Sequence, residues 1–354
     1  MPENQNRGNS GRRDDIISSI LLVGLVLVGW LFASSAFSVQ TAARSNNGEI
    51  HILPTKPGTN DRVNLTLREF LLEPSGYYLG MAPSFFGFYG YFGALAAWEE
   101  LSNSTFDVLQ DNIKGVAGAS AGAMAAILLA AGIPPRRAAE FCTSISLTDF
   151  ADFPGLLTFF RGNKFEQIMQ EFMQTEQPRS TLNLQDARIP VAVSGYDIQR
   201  MEGRILRRGN MARAARASAC FPLLFQPVGW VDGSENYLFV DGGIADMAGL
   251  AGLAALESKE KTPRRVVNMV VGDFLGSTSP GPSQIPKGVN ASELLSITIQ
   301  NLPRCGPLSM SNGPRAVEAA RRAMQASLDA PLYRGQEEGH YELHIDASHF
   351  ILEA

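Results

Sequence analysis

The sequence predicts an α/β domain in which helices flank a central, mainly parallel β-sheet. Apolar segments of strand length alternate with helix-forming segments along most of the 354-residue chain. Residues 113–132 read as a strand, a tight turn and an alanine- and leucine-rich helix. A second apolar run, residues 237–240, leads directly into an Asp-Gly-Gly turn. Because parallel strands need crossover connections, this alternation favours one α/β domain.

The N-terminal region contains a segment that could cross a membrane. Residues 1–15 form a polar tail, and residues 16–37 are almost continuously apolar. Spanning a bilayer needs about 20 such residues, so we expect residues 16–37 to be a membrane anchor. The arginines of the tail place the N-terminus in the cytosol and the main domain across the membrane. The alternative is a signal segment cleaved before Phe37, which would leave a secreted, lumenal or plastid protein.

The rest of the chain divides into a linker and one domain. Residues 38–64 are rich in Ser, Asn, Gly and Pro and read as a linker, so the folded domain is expected over residues 65–354. In that domain, residues 77–101 read as a strand, a glycine-punctuated loop and a helix. Further strands are expected at residues 189–197, 203–206 and 265–271, and further helices at residues 134–150, 152–174, 211–217 and 314–328.

The turn within residues 113–132 carries the candidate nucleophile. Residues 118–122 read Gly-Ala-Ser-Ala-Gly, a G-x-S-x-G motif between a predicted strand and a predicted helix. In that context the motif builds an elbow so tight that only small residues, here including Gly118 and Gly122, fit beside the serine. Unpaired N–H groups and the helix dipole at the helix N-terminus favour developing negative charge. Ser120 is therefore the candidate nucleophile.

The Asp-Gly-Gly turn carries the candidate base. Asp241 ends a predicted strand, and α/β sheets carry their functional groups at the carboxyl ends of strands. Gly242 and Gly243 let the backbone turn sharply and leave the carboxylate uncrowded. A carboxylate can accept a serine proton if burial raises its basicity. An ordinary Asp-Gly turn is the alternative, but its pairing with the elbow favours a Ser–Asp site.

Composition argues against several other functions. The formal net charge of −5 and the scattering of arginines in isolated pairs argue against a nucleic-acid partner. The three cysteines are far apart and odd in number, so we expect neither a disulfide framework nor a metal site, and no cofactor. The four histidines all lie outside the middle of the chain, at His51, His340, His344 and His349.

Taken together, four segments resemble the patatin-like phospholipase family over roughly residues 75–250. In chain order they are the glycine loop leading into residues 93–100, the elbow at residues 118–122, the run Ala-Ser-Ala-Cys-Phe-Pro-Leu-Leu-Phe-Gln-Pro-Val at residues 217–228, and Val-Asp-Gly-Gly at residues 240–243. The resemblance implies a three-layer fold with a central mainly parallel sheet. It also implies a catalytic dyad without histidine, with Ser120 as nucleophile and Asp241 as base. The substrate implied is a lipid acyl ester at a membrane.

One loop departs from the family pattern. Patatin-like enzymes usually carry a G-G-G-x-[R/K]-G loop as the oxyanion hole. The equivalent residues 80–87 contain no Arg or Lys, and Pro83 has no N–H to donate. An oxyanion hole needs N–H donors rather than particular side chains, so Phe85, Phe86 and Gly87 are the candidates.

Three alternatives remain open from the sequence. An α/β-hydrolase triad is formally available as Ser120, Asp241 and one of His340, His344 or His349. Acyl transfer to another alcohol would use the same acyl-enzyme. A catalytically inert lipid-binding protein would use the same pocket without turnover. The lipid headgroup and the oligomeric state are not predicted.

Overall fold

One mixed β-sheet forms the centre of the protein. The computed structural model describes residues 62–101, 111–152, 158–256, 264–272, 281, 283 and 285–351. The strands in these residues are β1 (Arg62–Thr66), β2 (Tyr77–Met81), β3 (Ile113–Gly118), β4 (Val191–Asp197), β5 (Glu202–Leu206), β6 (Val228–Asp232), β7 (Glu235–Asp241), β8 (Arg264–Val271), β9 (Ala291–Gln300), β10 (Pro331–Arg334) and β11 (His340–Asp346). Their order is β1-β10-β11-β9-β8-β2-β3-β4-β7-β6, and β5 also pairs with β4.

Helices connect the strands and cover the sheet. In the described residues they are α1 (Leu67–Leu72), α2 (Phe88–Glu99), α3 (Ala121–Ala130), α4 (Pro135–Ser144), α5 (Leu147–Phe150), α6 (Asn163–Glu176), α7 (Met211–Ser218), α8 (Ala251–Ala255) and α9 (Gly313–Ser327). Short 3-10 turns lie at Leu184–Asp186, Gly242–Ile244, Met310–Asn312 and Ser348–Phe350.

The expectation of a mainly parallel sheet is correct only for the sheet centre. The central strands, in the order β11-β9-β8-β2-β3-β4, are all parallel to their neighbours. Antiparallel pairs flank them: β10 with β1 and β11 on one side, and β4 with β5 and β7, then β7 with β6, on the other. The physical reason is connection length. Each of the pairs β4–β5, β6–β7 and β10–β11 is joined by a short turn, which permits only antiparallel pairing.

The two faces of the sheet are covered unequally. One face packs against α2, α3, α7 and α9 and holds most of the buried apolar side chains. Every residue of α3 is buried, as expected for a helix that is apolar on all sides. The other face is covered by α8 and its flanking loops, where Leu250 and Leu253 pack near Ala117 and Ala192. The thick, helical face is the one that contains the candidate site.

Several predicted elements have different bounds in the structure. The domain begins no later than Arg62 rather than at residue 65, because β1 pairs with β10. The helix expected over residues 134–150 is two helices, since Ser146 and Asp149 form a capping box that starts α5. Strands β1, β6, β9, β10 and β11 were not predicted. In β9, for example, Ser296 and Thr298 alternate with Ile297 and Ile299, a pattern typical of a strand exposed on one face, but residues 294–299 are all buried.

The predicted polar tail, membrane anchor and most of the linker lie in residues 1–61, outside the described residues. None of the helices that the structure does describe combines the length and apolar character needed to cross a bilayer.

Candidate active site

Ser120 occupies a strained turn between β3 and α3. Its backbone has φ 53° and ψ −123°, in a region that non-glycine residues rarely adopt. The neighbouring Ala119 N–H donates to the Met81 carbonyl oxygen at 3.2 Å, which ties the end of β3 to the end of β2. This turn directs a partly exposed hydroxyl away from the sheet at the first turn of a buried helix. The strand–elbow–helix prediction is confirmed.

Gly122 allows the start of α3 to pack directly on the end of β2. A Cβ atom at this position would lie 2.2 Å from the Met81 carbonyl oxygen and 2.6 Å from that of Ala82. No side chain fits in that space. The small residues of the motif are therefore a packing requirement of the elbow.

Ser218, the last residue of α7, holds the elbow from the other side. The Ser120 N–H donates to its buried hydroxyl oxygen at 3.0 Å. This hydrogen bond occupies the Ser120 N–H, so that group is not available to an oxyanion. The sequence analysis singled out the segment around Ser218 but gave the residue no role. Its only signal was its place in a segment that resembles the family.

Asp241 is hydrogen-bonded directly to the candidate nucleophile. The Ser120 hydroxyl donates to Asp241 Oδ2 at 2.7 Å. The other carboxylate oxygen, Oδ1, accepts the Gly243 N–H at 2.8 Å, and the Asp241 N–H donates to the Cys220 carbonyl oxygen at 3.0 Å. One carboxylate oxygen is thus held in place while the other contacts the serine.

The strand that carries Asp241 runs antiparallel to its neighbour, unlike the parallel strand expected from the sequence. Strand β7 is antiparallel to β4, so the rule that places functional groups at the carboxyl ends of parallel strands does not describe it. However, the part of β4 that pairs with β7 is Gly195–Asp197, the last three residues of β4. Its final residue therefore still lies near the carboxyl edge of the central strands, beside the elbow.

Gly242 is needed for the same reason as Gly122. A Cβ atom on Gly242 would lie 2.0 Å from the Ser194 carbonyl oxygen. The chain turns there into a 3-10 segment, and the N–H of the following residue, Gly243, is the one that Asp241 accepts. Both residues of the Gly-Gly pair therefore serve the geometry of the carboxylate.

Burial makes Asp241 a stronger base than an exposed aspartate. It raises the pKa of the carboxyl to about 6 from its ordinary value of 3.8, while the hydrogen bonds from Ser120 and Gly243 lower it to a smaller extent. The carboxylate is therefore ionised at neutral pH, and its proton affinity is nearer to what a general base needs.

A second Ser–Asp pair lies outside the cavity. The Ser194 hydroxyl donates to Asp246 Oδ2 at 2.5 Å, but both side chains are buried and Asp246 also accepts the N–H groups of Leu250 and Ala251. That carboxylate caps the start of α8. Neither residue lines the cavity beside Ser120.

The three oxyanion-hole candidates fall in the loop between β2 and α2. Phe85 and Phe86 line the same cavity as Ser120, whereas Gly87 is the N-terminal cap of α2. The Tyr91 hydroxyl donates to the Ala82 carbonyl oxygen at 2.6 Å and so anchors the loop from within the core. Among the described residues, the N–H groups of Phe86 and Gly87 make no hydrogen bond.

An apolar cavity of about 520 Å³ opens beside Ser120. Among the described residues, its only charged lining side chain is Asp241, and its size is typical of small-molecule sites. Helices α4, α5 and α6 form much of its wall. The large apolar side chains that line it are Phe85, Phe86, Phe88, Met124, Phe141, Ile145, Phe150, Phe165, Ile168, Met169, Phe221, Leu224, Phe225, Ile244, Met247 and Met310.

The structure does not bring the three C-terminal histidines to the site. His340 and His344 lie on β11, four strands from β3, or about 19 Å at the usual strand spacing. His340 is buried against the Ser296 hydroxyl, at 3.0 Å, and burial lowers its pKa. His349 follows β11, and none of the three lines the cavity. The triad alternative therefore has no geometric support.

The described residues contain no evident set of metal ligands. In the part of the chain that is described, no three His, Cys, Asp or Glu side chains cluster in a way that could hold a metal ion. Cys142, Cys220 and Cys305 form no disulfide.

The raised pKa of Asp241 predicts how stability depends on pH. The folded protein binds the Asp241 proton more tightly than the unfolded chain does, so raising the pH from 4 to 7 destabilises the parent. An Asp241→Asn variant lacks this titration. Over that range, its free energy of unfolding should gain about 2 kcal/mol relative to the parent, measured by urea unfolding.

Glu318→Gln is the control with the opposite sign. Hydrogen bonds from Arg321, and to a lesser extent from Arg322, lower the pKa of Glu318 to about 2. The stability that Glu318 contributes is present above its unfolded pKa and is lost as the pH falls toward 2, so this variant should lose stability relative to the parent as pH rises from about 3 to 5. Parallel pH curves for parent and Asp241→Asn would contradict the raised pKa.

Comparison with known proteins finds a sequence similarity over part of the chain. Residues 86–254 match the sequence model of the family described as "Patatin-like phospholipase". VipD from Legionella pneumophila is similar in structure with 14% identity and a TM-score of 0.42, over 71% of this chain and 67% of that one. Two structures of the ExoU–SpcU complex from Pseudomonas aeruginosa have 14% and 12% identity and TM-scores of 0.39 and 0.40. They match 84% and 85% of this chain but only 61% and 62% of those chains. At such scores the structural similarities carry no argument, and the resemblance to patatin-like phospholipases rests on the family model, which matches residues 86–254 of this chain.

Proposed function

We propose that the protein hydrolyses acyl esters of lipids through a Ser120–Asp241 dyad. The observation that carries this proposal is the 2.7 Å hydrogen bond from the Ser120 hydroxyl to Asp241, made at the wall of an apolar cavity. A nucleophile and its base must lie within such a distance for proton transfer. The cavity is chemically suited to an acyl chain, and the ester carbonyl would lie where the chain meets the serine.

The first half of the reaction forms an acyl-enzyme. The Ser120 oxygen attacks the ester carbonyl carbon while its proton passes to Asp241 Oδ2. The resulting oxyanion needs N–H donors, and the N–H groups of Phe86 and of Ala121, the first residue of α3, are candidates because both residues line the cavity. When the tetrahedral intermediate collapses, the C–O bond to the alcohol breaks and the alcohol takes the proton from Asp241.

The second half regenerates the enzyme. Asp241 accepts a proton from a water molecule, whose oxygen attacks the acyl carbon. The new tetrahedral intermediate expels the Ser120 oxygen, which regains its proton from Asp241, and the fatty acid leaves. Asp241 must therefore be ionised when each attack begins, which its pKa of about 6 allows at neutral pH.

Covalent labelling should identify Ser120 as the reactive serine. A fluorophosphonate forms an adduct at an activated serine, and peptide mass spectrometry locates it. We expect the adduct at Ser120, with a labelling rate that rises with pH through about 6 as Asp241 ionises. Ser120→Ala and Asp241→Asn should each abolish hydrolysis of a lipid ester.

Matched variants separate this dyad from its alternatives. Ser194→Ala alters the capping pair of α8 and should leave labelling intact in the folded protein. Replacing His340, His344 and His349 together by Gln should leave hydrolysis within about tenfold of the parent, a change under roughly 1.4 kcal/mol in the barrier. An adduct at Ser84, Ser194 or Ser218, or a bound phospholipid that stays uncleaved, would contradict the dyad.

The apolar cavity predicts selectivity for acyl-chain length. Burying one methylene group is worth about 0.8 kcal/mol, so kcat/KM for simple esters should rise up to about fourfold per added methylene until the cavity is filled. Ile145, a half-buried lining residue after α4, offers a way to narrow the cavity. Ile145→Trp should shift the optimum to shorter chains. The same profile for parent and variant would show that acyl chains bind elsewhere.

The apolar run at residues 16–37 supports a further proposal, that the full-length protein is membrane-anchored. Alkaline carbonate removes peripheral proteins but not spanning ones, so the full-length protein should remain with the membranes. Extraction by carbonate together with a mature N-terminus at Phe37 would instead indicate a cleaved leader.

A further inference from the structure

Three exposed apolar side chains belong to segments that line the cavity or pair with its wall. In the described part of the chain, five large apolar residues are notably exposed: Phe159, Met201, Val231, Met247 and Leu308. Met201 and Val231 lie on the β4–β5 turn and on β6. The other three, which we call the apolar rim (Phe159, Met247 and Leu308), are close in the chain to residues that line the cavity.

Each member of the apolar rim is connected to the cavity wall. Met247, 38% exposed, lines the cavity itself. Leu308, 95% exposed, is two residues before Met310, a second lining residue. In the same segment, a Cβ on Gly306 would contact the Phe85 ring at 3.6 Å, so this segment lies against the loop beside Ser120.

Phe159 reaches the cavity wall through the backbone. It is 66% exposed, and its N–H donates to the Leu223 carbonyl oxygen at 3.0 Å. The adjacent residue, Phe160, pairs with Phe225, and both Leu224 and Phe225 line the cavity. Three separate segments, each part of the cavity wall or paired with it, therefore present one apolar side chain to solvent.

Exposed arginines lie beside two members of the apolar rim, and the carboxylates of Asp152 and Asp346 also accept hydrogen bonds from these segments, from Gly162 and Asn301. Arg161, Arg304 and Arg315 are exposed in the segments that carry Phe159 and Leu308. Residues 158–163 and 301–317 contain no Asp or Glu, although the whole chain has a net charge of −5. Arginines beside exposed apolar side chains are typical of surfaces that contact anionic lipid headgroups while apolar groups enter the acyl region.

We propose that the apolar rim docks onto a lipid bilayer containing anionic lipids and inserts Phe159, Met247 and Leu308 among the acyl chains. This inference rests on the proposed function, since docking at this face places the cavity opening on the bilayer. A lipid could then move its acyl chain from the bilayer into the cavity without crossing water. This docking surface belongs to the folded domain and is separate in the chain from residues 16–37.

The first test compares two substrates in the full-length protein. Leu308→Ser and Phe159→Ser should each lower hydrolysis of vesicles of phosphatidylcholine and phosphatidylglycerol by about tenfold, since burying one large apolar side chain is worth at least that factor. Hydrolysis of a water-soluble short-chain ester should stay within about twofold of the parent. Val231→Ser is the matched control, because Val231 is 69% exposed but lies on β6, away from the cavity, and both activities should be unchanged.

The second test reads bilayer contact without catalysis. Leu308→Trp and Val231→Trp proteins are mixed with the same vesicles made with bromine-labelled acyl chains, which quench tryptophan fluorescence on contact. We expect extra quenching over the parent only for Leu308→Trp. Any quenching of Trp30 is common to all three proteins and cancels.

The outcomes separate docking from the proposed function. Equal quenching of the two tryptophan variants, or parent-like vesicle hydrolysis by both serine variants, would overturn the docking proposal. If the parent hydrolyses neither substrate but the Leu308→Trp variant is quenched, the docking proposal stands and the proposed hydrolase function is refuted.

Discussion

The hydrogen bond between Ser120 and Asp241 is the interaction on which the site depends, because it joins two parts of the chain that are 121 residues apart in sequence. Ser120 belongs to the turn between β3 and α3, and Asp241 ends a strand on the far side of β4. Each partner has a second restraint. Ser218 accepts the Ser120 N–H, and the Gly243 N–H holds the other carboxylate oxygen. The 2.7 Å contact thus depends on three backbone segments packed together.

Close backbone packing is what makes that convergence possible. At Gly122 and Gly242 any side chain would overlap a carbonyl oxygen of a neighbouring strand. The helix can therefore begin directly above β2, and the Asp-Gly-Gly turn can lie against β4. The strained φ of Ser120 is tolerated because the buried helix α3 and the sheet hold the residue on both sides.

The site combines an apolar cavity with one ionisable group, and the two features are linked. The apolar surroundings that could accept an acyl chain are the same surroundings that raise the pKa of Asp241. This base strength costs stability at neutral pH, as expected for a functional residue that does not serve the fold. The apolar character continues outward to Phe159, Met247 and Leu308, where nothing in the described part of the chain covers it.

The sequence by itself determined the local parts of this site. The G-x-S-x-G turn, the Asp-Gly-Gly turn, the order of the two and the flanking elements β2, β3, α3 and α7 all follow from short-range patterns, since tight turns and buried helices restrict residue type locally. Only the tertiary structure decided what depends on long-range pairing: the antiparallel direction of β7, the placement of β11 and its histidines four strands away, the acceptor role of Ser218, and the cavity lined from α4, α5 and α6. Those features arise from contacts between residues distant in sequence, such as Ser120 and Ser218, 98 positions apart, and no local periodicity encodes such contacts.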